Sequence, residues 1–178
     1  MRATRPLAVT MALGAMAAAV MAYFPLAART LGLPVAHMKL SDMLDTFNQS
    51  RPGERRHEAT DIVAPRGTPV LAVDDGTIAK LFWSKPGGRT IYQFDLSQRY
   101  CYYYAHLDGY EGHLAEGMRV QRGQVIGYVG TTGNAPANSP HLHFAITEIG
   151  GDKKWWGGKP IDPYPLLRAS ARQLGMKD

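Results

Sequence analysis

From Asp61 onward the chain is divided into short apolar runs by closely spaced turns, with no alternation of strand and helix. That pattern restricts it to an all-β domain. Pro69 to Val73 is apolar, Asp74-Asp75-Gly76 has the make-up of a hairpin turn, and Thr77 to Trp83 returns. Lys85 to Gly88 turns the chain again, and the segments 90–95 and 99–106 alternate and are rich in aromatic residues. Between Gly117 and Gly130 the apolar residues Val120, Val125, Ile126 and Val129 are interspersed with glycines, as at tight sheet corners. The expectation is a compact antiparallel β-sheet or sandwich. At 178 residues one domain is the natural count.

The first part of the chain has a different character. Arg2 and Arg5 precede Leu7 to Phe24, a run without charge, and Arg29 closes the segment. A basic flank followed by an apolar run is the layout of an export signal, and its length is also near the minimum for a membrane span. Residues 1–28 are therefore expected to form an apolar helix serving as a cleaved signal or as an inner-membrane anchor. Either carries the remainder to the periplasm or cell envelope, with the arginines left inside. Residues 29–40, with Gly32 and Pro34, read as a linker. Ser41 as a cap, with Leu40, Met43, Leu44 and Phe47 at helical spacing, predicts a short amphipathic helix. The domain proper is expected over 41–168, with a tail over 169–178.

The formal charge of +5 falls to +3 without residues 1–28, whose only charges are the two arginines. A mildly basic domain suits an anionic wall polymer. No dense Lys/Arg run with interleaved aromatics suggests nucleic acid. The single cysteine, Cys101, excludes an internal disulfide.

The chemistry is concentrated in a few side chains. His141 and His143 flank Leu142 in an alternating run, and residues two apart in a strand share a face at about 7 Å. Two imidazoles so placed can share one site, and a solvated polar face is the plainer reading. His57 and Asp61 are four apart, about 13 Å in a flat strand, so the chain must curl for both to reach one ion. His106, at the end of Tyr104-Ala105-His106, shares strand parity with Tyr100, Tyr102 and Tyr104, opposite Cys101, Tyr103 and Ala105. With one face core and the other a groove, parity sets His106 beside Tyr100, Tyr102 and Tyr104 in an aromatic-lined groove; the plainer reading is a histidine that ends a strand and bonds a backbone carbonyl.

Taken in order, His57-x-x-x-Asp61, the run Ile62 to Val70, Asp75-Gly76-Thr77-Ile78, Tyr104-Ala105-His106-Leu107, Gly123 to Gly127, Thr132-Gly133-Asn134 and His141-Leu142-His143-Phe144 resemble the lysostaphin/LytM-type zinc metallopeptidases. The resemblance covers roughly Asp45 to Leu167. It implies a compact antiparallel β fold with a groove, one zinc ion per chain, and hydrolysis of peptide cross-links in bacterial peptidoglycan. By position, His57, Asp61 and His143 would be the zinc ligands, and His106 and His141 two non-ligand histidines sharing general-base and oxyanion-holding work. A monomer is expected, with a regulatory protein partner as an open possibility. Two departures stand out: Ala59 occupies a position where the family usually has glycine, and no tyrosine lies between Thr30 and His57. Some relatives lose zinc ligands and act only as activators, so a non-catalytic peptidoglycan-binding or amidase-activating module is the alternative. A phosphocarrier- or lipoyl-like barrel ranks third, because no lysine sits at the Asp74–Gly76 turn.

Other side chains have two readings each. Cys101 with His106 suggests a thiol and its base, against which their opposite parity argues. Trp155 and Trp156 suit a substrate groove or simple packing. Glu58 suits a general base or a solvated loop. Arg55 and Arg56 suit recognition of muropeptide carboxylates or plain solubility. His37 and His113 fall outside every motif and read as surface residues.

Overall fold

The computed structural model describes residues 25–176, so the apolar segment expected to export or anchor the chain lies, up to residue 24, outside the described residues. Among the described residues no helix is long and apolar enough to cross a membrane. They form a mostly β, wholly antiparallel structure with one α-helix near the C-terminal end.

The strands are β1 (Met43–Leu44), β2 (Ser50–Arg51), β3 (Arg55–Arg56), β4 (Thr60–Val63), β5 (Pro69–Leu71), β6 (Gly76–Ser84), β7 (Gly88–Asp95), β8 (Tyr100–Tyr110), β9 (Arg119–Val120), β10 (Val125–Val129), β11 (His141–Glu148) and β12 (Lys159–Ile161). The main sheet runs β1-β4-β11-β8-β7-β6-β9. β10 bridges β8 and β5, β12 adds to β11, and β2–β3 form a separate hairpin.

β11 is the strand that positions the site. It is paired on both sides, to β4 with His143 opposite Asp61, and to β8 with His143 opposite Ala105. Its residues alternate as a strand with one buried face requires. Leu142, Phe144 and Ile146 are fully buried, while His141 and His143 face the other way. Tyr104 packs against Phe144, and its hydroxyl donates to Gln93 Oε1 at 2.7 Å and accepts from the Val73 N–H at 3.0 Å, so its buried polar atom is satisfied.

The stretch expected as an amphipathic helix is instead a 3₁₀ turn, Leu40–Asp42, running into β1, which pairs with β4. Asp42 Oδ2 accepts from the Lys39 N–H at 2.7 Å and closes the turn after three residues. Beyond it, pairing with Ile62 and Asp61 satisfies the backbone that a helix would otherwise have satisfied internally. Residues 29–40, read from sequence as a linker, bury Leu31, Val35 and Met38 in the core. Arg29 Nη1 lies 3.1 Å from Asp74 Oδ2 and 3.0 Å from Asp95 Oδ2, tying that stretch to the turns of β6 and β7.

Helix α1 spans Pro163–Gln173. Asp162 caps it by accepting from the Tyr164 N–H at 3.0 Å, and Pro163 occupies the first turn, where its missing N–H costs nothing. Leu167 and Ala171 seal one end of the core, and Ser170 Oγ accepts the Leu31 N–H at 2.9 Å.

Candidate metal centre

β4 and β11 deliver Asp61 and His143 as cross-strand neighbours on one face of the sheet. His57 precedes β4 and has to be turned toward them. The turn is made at Glu58, whose φ of 56° places a non-glycine residue in the left-handed region. The curl demanded by the four-residue spacing is thus taken up at Glu58, and Ala59, absent from the left-handed residues, is accommodated fully buried.

Three donor atoms converge. His57 Nε2 lies 2.9 Å from His143 Nδ1 and 3.3 Å from Asp61 Oδ1, and His143 Nδ1 lies 3.2 Å from Asp61 Oδ1. Zinc bound tetrahedrally at about 2.0–2.1 Å sets its ligand atoms about 3.3 Å apart. Two imidazoles and one carboxylate on such a triangle fit a metal site, and all three atoms lie within 4.8 Å of one another. Burial pushes His143 below its ordinary pKa, which keeps the imidazole neutral with a lone pair to offer. Burial works to raise Asp61. The adjoining His143 and His57 rings outweigh it and hold the carboxyl well below the usual range.

The remaining ring nitrogens show how the site is oriented. The Nδ1 atoms of His57, His106 and His141 bond the main-chain carbonyls of Thr46, Thr132 and Ser139 at 3.2, 2.8 and 2.8 Å. A carbonyl only accepts, so each Nδ1 carries the proton and each Nε2 is left with a lone pair. His143 alone faces the triangle with Nδ1. Its ring lies 5.6 Å from that of His106, and the His106 and His141 rings are 4.9 Å apart. His141 Nε2 is 3.9 Å from Asp61 Oδ1. Burial pushes His106 down to about 4, against the opposing pull of the Thr132 carbonyl.

The five side chains singled out in sequence are thus brought together, but His106 arrives by another route than strand parity. The ladder between β7 and β8 slips between Arg89/Ile91 and Leu107/Tyr104, inserting one extra residue in β8, and His106 there has a φ of 62°. This bulge reverses the phase. Tyr102 and Tyr104 are in the core, whereas Tyr103 lines the cavity with His106 and His143. Cys101 shares the Tyr103 side, so parity does not separate it from His106. Distance does, because five strand residues span about 17 Å. Burial pushes the Cys101 thiol up to about 12, which removes it as a nucleophile.

Thr46 was passed over in sequence. Its carbonyl accepts from His57, while its hydroxyl accepts from the Asp61 N–H and donates to the Ala59 carbonyl, both at 3.2 Å. One residue of the supposed helix therefore sets two of the three donors. Trp155 packs on Tyr92 and Phe82 away from the cavity, and Glu58 is exposed outside it. The cavity, of about 610 Å³, opens over the triangle and is walled by the β2–β3 hairpin on one side and by Asn134 to Ser139 on another.

The sequence pattern of Peptidase family M23 matches residues 55–163. An L-Ala–D-Glu endopeptidase of Bacillus subtilis is 38% identical over 125 residues, 67% of this chain and 37% of that protein. Among solved structures, the catalytic domain of lysostaphin from Staphylococcus simulans superposes with a TM-score of 0.60 at 28% identity, covering 72% of this chain and 95% of that one. A zinc-containing peptidase from Vibrio cholerae superposes at 0.54 with 28% identity, covering 66% and 36%. The chain spans 20–37% of the length of the first curated relatives it matches.

Proposed function

The chain belongs to peptidase family M23, and from that premise we propose that it is an exported zinc metallo-endopeptidase that hydrolyses peptide bonds of bacterial peptidoglycan. The observation that carries the proposal is the triangle of His57 Nε2, Asp61 Oδ1 and His143 Nδ1, with two further imidazoles beside it. Relatives named as endopeptidases of peptidoglycan peptides support the substrate class, and the basic flank and apolar run of residues 1–28 support action in the cell envelope.

His57, Asp61 and His143 would hold one zinc ion, which supplies Lewis acidity and a water activated near neutral pH. The chain's own residues do the rest. Thr46 keeps His57 in the tautomer that presents Nε2. His106 and His141 each present an Nε2 lone pair to the cavity, able to take a proton and, once protonated, to hold a developing oxyanion or pass the proton to the leaving amine. Burial keeps His106 neutral at physiological pH, so its Nε2 lone pair is unprotonated. A non-catalytic module of the same fold would not require these groups to converge.

Muropeptide analysis after incubation of the purified, metal-loaded protein with sacculi tests the proposal. New peptide ends released in a chelator-sensitive way are expected. Intact cross-links and stems at high enzyme concentration, with one zinc bound, would overturn it.

A further inference from the structure

The β2–β3 hairpin contributes three arginines to the cavity that opens over the donor triangle. Arg51, Arg55 and Arg56 all line the cavity, whose one lining carboxylate among the described residues is Asp61. Arg51 and Arg55 are direct cross-strand partners, and like charges so placed destabilise a two-stranded ribbon. Of the three, only Arg51 has a carboxylate partner among the described residues, and that pair is long. Arg55 Nε donates to the Pro52 carbonyl at 3.3 Å, Arg56 Nη1 donates to Asn48 Oδ1 at 2.9 Å, and Arg51 Nη2 lies 3.7 Å from Asp61 Oδ2. Solubility alone would be served by arginines on the outer side of the hairpin.

The hairpin is also joined to the site. Below the two short strands the pairing continues from the His57 N–H to the Gln49 carbonyl and from the Glu58 N–H to the Phe47 carbonyl, both at 2.9 Å. The residue that closes the ribbon is itself a member of the donor triangle. A group held by the arginines is therefore held at a fixed offset from the reacting centre.

We propose that this hairpin is a carboxylate-recognition wall, and that the chain selects peptidoglycan stem peptides carrying a free carboxylate beside the cleaved bond over neutral or amidated ones. Guanidinium forks suit planar carboxylates, which they bind by paired charge-assisted hydrogen bonds. This rests on the hydrolase reading for its substrate class, but binding alone can test it.

The probe is a soluble stem tetrapeptide with its carboxylates free, set against the same peptide amidated at every carboxyl group. Both are titrated by calorimetry into the full, zinc-loaded chain carrying His106→Ala to stop turnover. The acid is expected to bind about tenfold tighter than the amide, by an amount that shrinks with added salt. Arg55→Gln/Arg56→Gln should bring the acid to within about twofold of the amide. Arg119→Gln/Lys159→Gln, which removes the same charge from exposed positions on β9 and β12, should keep the preference. Equal affinities in the parent, a preference that survives R55Q/R56Q, or an equal loss in the charge-matched control would each overturn the proposal. Product analysis with native His106 separates the two claims. Cutting without preference for the acid sinks the wall alone, and preference without cutting sinks the hydrolase alone.

Discussion

The hydroxyl oxygen of Thr46 lies 3.2 Å from both the Asp61 main-chain nitrogen and the Ala59 carbonyl oxygen, so one side chain fixes the chain on the far side of the left-handed turn at Glu58. Thr46→Val keeps the shape and removes both bonds. It is expected to weaken zinc affinity about 10–100-fold, as loss of an outer partner does at metal sites. Thr46→Ser should restore most of it. Competition against a chromogenic chelator reads the change, and an unaltered affinity in Thr46→Val would deny the residue this role.

His143→Ala removes a corner of the triangle without touching the opposite face of β11, where Leu142 and Phe144 pack. Metal content should fall from about one zinc per chain to a trace, and peptidase activity with it. Elemental analysis alongside circular dichroism distinguishes metal loss from unfolding. Full occupancy in a folded variant would show that the ion is held elsewhere.

His106→Ala should leave the metal in place and lower kcat by about 10²–10⁴-fold, the usual range for removing a positioned acid–base group. Metal analysis and steady-state rates on cross-linked muropeptides are read on the same preparation. Wild-type turnover would remove His106 from the mechanism.

The Cys101 thiol, pushed up to about 12 by burial, should be nearly inert to iodoacetamide at pH 8 until the chain is denatured. The sign of the linked stability effect follows. Between the unfolded thiol's pKa of about 8.5 and 12 the unfolded chain has lost a proton that the folded chain retains, so stability falls as pH rises through that window. Cys101→Ser should flatten that part of the denaturant-midpoint profile. Rapid native-state alkylation at pH 8 would contradict the burial described for this thiol.

Gly133 has a φ of 79°, and a Cβ there would sit 2.3 Å from the Gly88 nitrogen and 2.4 Å from the Pro86 carbonyl oxygen. Gly133→Ala should therefore cost roughly 1–3 kcal/mol. It should also lower turnover, because the adjacent Thr132 carbonyl holds His106 Nδ1. Chemical denaturation and rate measurements test both, and a variant as stable and active as the parent would show that the two loops do not meet this closely.

Much of the site is legible in the chain because its signals are local. The alternation around Leu142 puts His141 and His143 on one face, and the His57–Asp61 spacing announces a curl that Glu58 supplies. What is not legible depends on partners far along the chain. Residues 40–47 have the spacing of a helix, but pairing of β1 with β4 makes them sheet, and with that change Thr46 becomes part of the site. Tyr103, facing the cavity in place of Tyr102 and Tyr104, is invisible to parity because the slip between Tyr104 and Leu107 arises in the pairing of β8 with β7. Trp155 shows the converse. Its sequence suits a groove, and only contacts with Phe82 and Tyr92 reveal packing.

The irregularity in β8 has a consequence for the lineage of such a chain. His106 faces the cavity only because β8 carries one residue more than β7 along this stretch, so an insertion of a single residue between Arg89 and Ile91 would mend the ladder and turn the imidazole to the Tyr104 side, into the hydrophobic interior. The sheet would be more regular, and the cavity would lose one of its imidazoles.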